Sequence, residues 1–130
     1  MSGDSDPHGL PLEAQVLAFG LAASGLESRR LDVPQRLRIS MKDGSVVADA
    51  SLEAMRHRYP NHDVDLGRCN PSDYYCASLR VEVISDSENE FVVRAWAVDL
   101  AIGTWSEYCL HFDGSEWFAE KGTLAGGVIG

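Results

Sequence analysis

From Phe91 to Val98 the chain is apolar at every position but Arg94, and from Thr104 to Phe112 apolar and polar residues largely alternate. Strand side chains point to alternate faces, so Phe91, Val93, Ala95 and Ala97 share one side and Val92, Arg94, Trp96 and Val98 the other. Apolar residues on both sides predict a central strand covered on each face. In the next strand Tyr108, Leu110 and Phe112 share one face, and Trp105, Glu107, Cys109 and His111 share a wetter one. Asp113-Gly114 tolerates the positive φ of a tight hairpin, and Trp117 opens the return strand. These segments form an antiparallel meander. Its aromatic residues, Phe91, Trp96, Trp105, Tyr108, Phe112 and Trp117, are expected to be mainly core; the rival reading is a ligand pocket lined by one or two of the rings.

Ahead of the meander the period changes. Residues 1–10 are polar and read as a lead-in. Leu12, Val16, Phe19 and Ala23 recur at helical spacing, widened by Leu17 and Leu21, which predicts a helix from Leu12 to Ser24 or beyond. Pro11 suits its first turn and Gly25 its end, and Gly20 is expected to let it sit close to a sheet. Leu37, Ile39 and Met41 alternate with Arg36, Arg38 and Ser40, a strand with one basic face. Arg36 and Arg38 are solvated, paired with the acidic C-terminal half, or anion-binding; the pattern leaves all three open. A shorter helix is predicted over Ser51–Tyr59, capped by Ser51 and ended by Pro60. A short strand is placed at Val64–Leu66 and a longer one at Ser78–Ile84, with a solvated turn over residues 85–90. Beyond Lys121 the glycine-rich tail is an edge strand or coil. The expected fold is α+β: the N-terminal helix packed on a curved, mostly antiparallel sheet of four to six strands, plus one short helix, in a single domain over 11–130.

Composition narrows the function classes. The 130 residues carry a net charge of −9, unevenly distributed. Residues 81–130 hold Arg94 and Lys121 against nine acidic residues. Such a surface repels phosphate backbones and suits a basic protein, so no nucleic-acid partner is expected. Val16–Ala23 is too short for a membrane span, and the acidic residues before it do not resemble a signal peptide, so a cytoplasmic location is expected. The three cysteines, Cys69, Cys76 and Cys109, are expected as free thiols. Cys69 and Cys76 are nonetheless near enough in sequence to bridge a loop.

Candidates for chemistry are few. His57, His62, Asp63 and Asp65 form the one dense group of possible ligands, but the histidines are separated by Pro60 and share no helical face. No metal, cofactor or catalytic residue is expected. Cys109 and His111 share a strand face but stand about 7 Å apart along it, too far for a nucleophile and its base. Arg94 is expected to meet Glu107 or Glu82 on a neighbouring strand, because a buried charge is costly unless paired.

The element order, ending in Tyr108-x-Leu110-x-Phe112-Asp-Gly114-Ser-Glu-Trp117, resembles a group of small bacterial proteins with a curved antiparallel sheet wrapped on an N-terminal helix. Nuclear-transport-factor-like and cystatin-like folds share that layout. The resemblance covers mainly residues 78–121 and supplies no catalytic set that maps onto this chain. Two functions stand against each other. One is a non-enzymatic, adaptor- or immunity-type module binding a basic protein through Glu82, Glu88, Glu90 and Glu107. The other is a ligand-binding or enzymatic cone with Trp96, Trp105 and Tyr108 around Arg94.

Overall fold

The computed structural model describes residues 10–27, 36–70, 72–73, 75–87, 89–99 and 102–129. Its elements are α1 (Leu12–Glu27), β1 (Arg36–Met41), α2 (Asp49–Arg58), β2 (Asp63–Leu66), β3 (Cys76–Ser87), β4 (Glu90–Asp99), β5 (Ile102–Phe112) and β6 (Trp117–Ile129). They form an α+β fold with one six-stranded sheet in the order β2-β1-β3-β4-β5-β6. The meander β3–β6 is antiparallel throughout. β1 runs parallel to both of its neighbours, and α2 is the crossover that returns the chain from β1 to β2.

Both helices lie on one face of the sheet, here called the inner face. Leu37, Ile39, Leu79, Val81, Val93 and Leu110 are buried there with Phe19 of α1 and Met55 of α2. The predicted α1 stripe holds at Phe19 and Ala23, both fully buried, and fails at Leu12, which is 46% exposed. Ala14, Ala18 and Ala22 form a second enclosed ridge beside it. Small side chains let the helix backbone come close to the sheet, and the larger Leu17 and Leu21 fill the flanks. Gly25 does not end the helix: it faces β4, and a Cβ there would stand 3.6 Å from that of Ala97. Gly20 faces Arg58 of α2 rather than the sheet. Leu10, assigned by pattern to the lead-in, is buried with the core; residues 1–9 lie outside the described residues.

The strand expectations hold in the meander, with two extensions. β3 runs on through residues predicted as turn, and β6 continues to Ile129 as an edge strand. Bulges between Val83 and Ser85 and between Ser106 and Tyr108 shift the register; such strands bend and twist more at the extra residue. Gly114 takes φ +96° in the hairpin. There the Asp113 carboxylate accepts the backbone N–H of Ser115 and of Glu116 at 2.8 and 2.9 Å.

Three local expectations are corrected. α2 begins at Asp49, and Ser51 is not its cap but a buried residue inside it. Cys69 and Cys76 are bridged, with Cα atoms 5.7 Å apart, so Cys109 is the free thiol. The β1–β3 pairing brings Cys76 beside Arg36, and the loop leading back to it closes the bridge. Finally, β4 is central but, among the described residues, has helices on one face alone. Its inward residues Phe91, Val93, Ala95 and Ala97 are buried, while Val92, Arg94, Trp96 and Val98 are half-buried on a face that no described helix packs against.

Candidate binding face

The register of β3, β4 and β5 sets the outer face in rows. Glu82, Arg94 and Glu107 form one row, and Arg80, Trp96 and Trp105 the next. Arg94 meets both predicted carboxylates: Nε stands 3.8 Å from Glu107 and a terminal nitrogen 4.0 Å from Glu82. These are ion-pair distances, and the buried Nε makes no hydrogen bond. Its guanidinium lies over the Trp105 ring at 4.3 Å. Glu82 accepts the indole N–H of Trp96 at 3.1 Å and faces the Lys42 ammonium at 3.9 Å. Lys42 in turn sits over Trp96 at 4.7 Å, and the two indoles lie 6.0 Å apart. Gly126 on β6 leaves room for Trp105, since a Cβ there would fall 2.8 Å from three indole atoms. The result is two tryptophans, each with a cation on its ring, held by two carboxylates on an open sheet.

The residues of the alternative ligand site around Arg94 do not all share one face. Arg94, Trp96 and Trp105 are on the outer face, and Tyr108, of opposite strand parity, is on the inner one. The aromatic cluster divides the same way. Phe91, Phe112 and Trp117 pack together, with rings 5.5 and 5.7 Å from Trp117, away from the Trp96–Trp105 pair. Tyr108 instead lines a cleft of about 220 Å³ between the C-terminal half of α1 and β4–β6, with Ser24, Thr104, Ser106 and Lys121.

The four carboxylates expected to meet a partner fare differently. Glu82 and Glu107 are half-buried and committed to Arg94, Trp96 and Lys42. Glu90 is 51% exposed and lies 3.1 Å from His111. Glu88 lies outside the described residues. Glu120, which the sequence reading missed, is 76% exposed on the same face, opposite Cys109. Burial, and the carboxylates of Glu90 and Glu120, hold the Cys109 thiol above its ordinary value, the opposite of an activated nucleophile.

Towards β1 the face becomes basic. Arg36 makes a two-pronged pair with Asp73, and Arg38 donates to Asp63 at 3.2 Å. Their partners come from β2 and the following loop, not from the acidic C-terminal half. Arg80 lines a hollow of about 110 Å³ beside the disulfide. Burial and nearby Arg68 lower its guanidinium from the ordinary value, and its Nε makes no hydrogen bond. His57, His62, Asp63 and Asp65 do not converge. Asp65 faces Arg56 at 3.6 Å, and His62 packs edge-on to Tyr59. Among the described residues, the group that does bring three possible metal ligands together is Glu90, Cys109 and His111.

No family model and no curated protein matches the chain. Among solved structures, a SAM-bound amino pentose methyltransferase from Micromonospora echinaspora, involved in calicheamicin biosynthesis, aligns over 93% of this chain and 78% of its own at 11% identity. The TM-score is 0.22, too low to carry an argument about fold or function.

Proposed function

We propose that the protein is a non-enzymatic interaction module that binds a basic protein partner through the outer face of β3–β6. The observation that supports this is the Trp96–Trp105 pair with Lys42 and Arg94 on its rings, on a face that no described helix covers. Tryptophan and arginine dominate the energetics of protein interfaces. Side chains already held by ion pairs and hydrogen bonds lose little further freedom on binding. A broad, open surface suits a macromolecule better than a small ligand. The exposed carboxylates Glu90 and Glu120 and the net charge of −9 favour a basic partner and disfavour nucleic acid.

The likeness to nuclear-transport-factor-like or cystatin-like folds is supported by a helix laid on an antiparallel meander; the parallel β1 and β2 fall outside that layout. No described helix is long and apolar enough to cross a membrane. The cytoplasmic expectation rested on the lack of a membrane-span or signal-peptide pattern; the Cys69–Cys76 bridge favours an oxidising compartment instead.

The test is capture from lysate of the source cell with the wild type and with Trp96→Ala/Trp105→Ala as bait, at low and high salt. One stoichiometric basic protein, weakened by salt and lost with the double variant, is the expected result. Equal capture by both baits would remove the outer face from the mechanism.

A second reading rests on the inner cleft, where Tyr108 and Lys121 pair across β5 and β6. It would take a small anionic ligand. Saturable binding of such a compound, abolished by Lys121→Ala and untouched by Trp105→Ala, would favour it over the first.

A further inference from the structure

Four side chains of β4, β5 and β6 meet on the outer face, away from the tryptophan pair. Glu90 is paired with His111 across the ladder, Cys109 lies two residues before His111, and Glu120 is paired with Cys109 from the other side. A carboxylate oxygen of Glu90, the Cys109 Sγ and a ring nitrogen of His111 all lie within 4.8 Å of one another. The imidazole is fixed on both edges and one face. Nδ1 stands 3.1 Å from Glu90, Nε2 stands 3.6 Å from Glu120, and the ring stacks on Phe118 at 5.2 Å.

We propose that Glu90, Cys109 and His111 are the ligands of a zinc-class divalent metal ion, with Glu120 orienting the imidazole from its far side. Thiolate, imidazole and carboxylate are the three donor types zinc prefers, whereas calcium and magnesium take oxygen ligands. Zinc bonds of about 2.0–2.3 Å define a tetrahedron with edges of about 3.3–3.7 Å. The Glu90–His111 separation of 3.1 Å is already close to such an edge, and the exposed Glu90 side chain can swing to close the rest. Binding through Nδ1 leaves the Nε2–H directed at Glu120, the carboxylate–histidine–metal arrangement that fixes tautomer and ring orientation. Without a cation, ionised Cys109 would add a third negative charge beside Glu90 and Glu120; the metal compensates it and the thiol proton goes to solvent. Three protein ligands leave the fourth position facing outward for water or a partner's side chain.

The test is titration of cobalt(II) into the chelator-stripped, disulfide-intact protein. The expected result is one equivalent bound, a sulfur-to-cobalt charge-transfer band, the visible bands of tetrahedral cobalt, and displacement by zinc. Cys109→Ser abolishes the charge-transfer band; Cys109→Ala, which keeps the apolar packing, replaces it if the serine variant fails to fold by circular dichroism. Glu120→Gln keeps the band and weakens binding roughly 10- to 100-fold. His57→Ala and His62→Ala change nothing. No band in the folded wild type, a band that survives loss of Cys109, or one lost with His62 would each overturn the site.

Discussion

The Ser51 hydroxyl, enclosed within α2, donates a 2.7 Å hydrogen bond to the side-chain oxygen of Gln15 in α1. The same oxygen accepts the Ala48 N–H at 2.8 Å, so a residue of the first helix caps the second, which has no side-chain cap of its own. Both residues are buried. Gln15→Ala strands two donors, and the expected loss is about 2–3 kcal/mol, because a buried unsatisfied group costs roughly 1–3 kcal/mol. Ser51→Ala removes one donor and its need together and should cost distinctly less. Urea unfolding of both variants checks the order; equal stability of Gln15→Ala and wild type would refute the cap.

Gly126 is required by Trp105. An alanine Cβ would sit 2.8 Å from three atoms of a rigid indole, so the ring must leave its place under Arg94. Gly126→Ala should cost about 1–3 kcal/mol, as overpacking does, and should change the tryptophan emission. In a Trp105→Ala background the same substitution should cost almost nothing. An equal penalty in both backgrounds would show that the glycine serves the backbone instead.

The disulfide closes a short loop, seven residues apart in sequence. Loop-closure entropy alone gives it about 2.5 kcal/mol. Cys69→Ser/Cys76→Ser should therefore lower unfolding stability by about 2–3 kcal/mol. Alkylation of the denatured, unreduced protein should modify Cys109 alone, and reduction should expose all three cysteines. Three modified thiols without reductant would contradict the bridge.

Acid should destabilise the fold through two turns. The Arg36 hydrogen bond lowers the Asp73 carboxyl below 3.8, and the backbone N–H groups of Glu116 and Ser115 lower that of Asp113. In the unfolded chain both take up a proton near 3.8, before the folded chain does. The unfolded state thus binds more protons in that window, and the stabilisation present above it is lost as pH falls through the folded values. Asp113→Asn and Asp73→Asn should each flatten the acid limb of the stability–pH curve and leave its neutral slope unchanged. An unaltered acid limb in the double variant would show that other carboxylates carry it.

The meander was legible because its signals are local. Alternation assigned Trp105, Glu107, Cys109 and His111 to one face, and Asp113-Gly114 marked the hairpin between β5 and β6. The α1 stripe was right at Phe19 and Ala23 but missed Ala14, Ala18 and Ala22, because leucine weighs more than alanine in any hydrophobic count, while close helix–sheet contact selects the smaller side chain. Ser51 was read as a cap because it is of capping type; the acceptor at that helix end comes from Gln15, 36 residues earlier.

The sequence by itself determined the α+β class and the antiparallel pairing of β3 to β6, which follow from side-chain period and short connections, and the need of Arg94 for Glu82 or Glu107, which follows from the cost of an unpaired buried charge. Tertiary structure alone decided that β1 pairs in parallel with β2 and β3, that no described helix packs on the outer face of β4, and that Glu90 stands opposite His111. Those outcomes depend on where whole elements dock and on cross-strand register, which no local pattern encodes. A one-residue slip between β4 and β5 would send Glu90 and His111 to opposite faces.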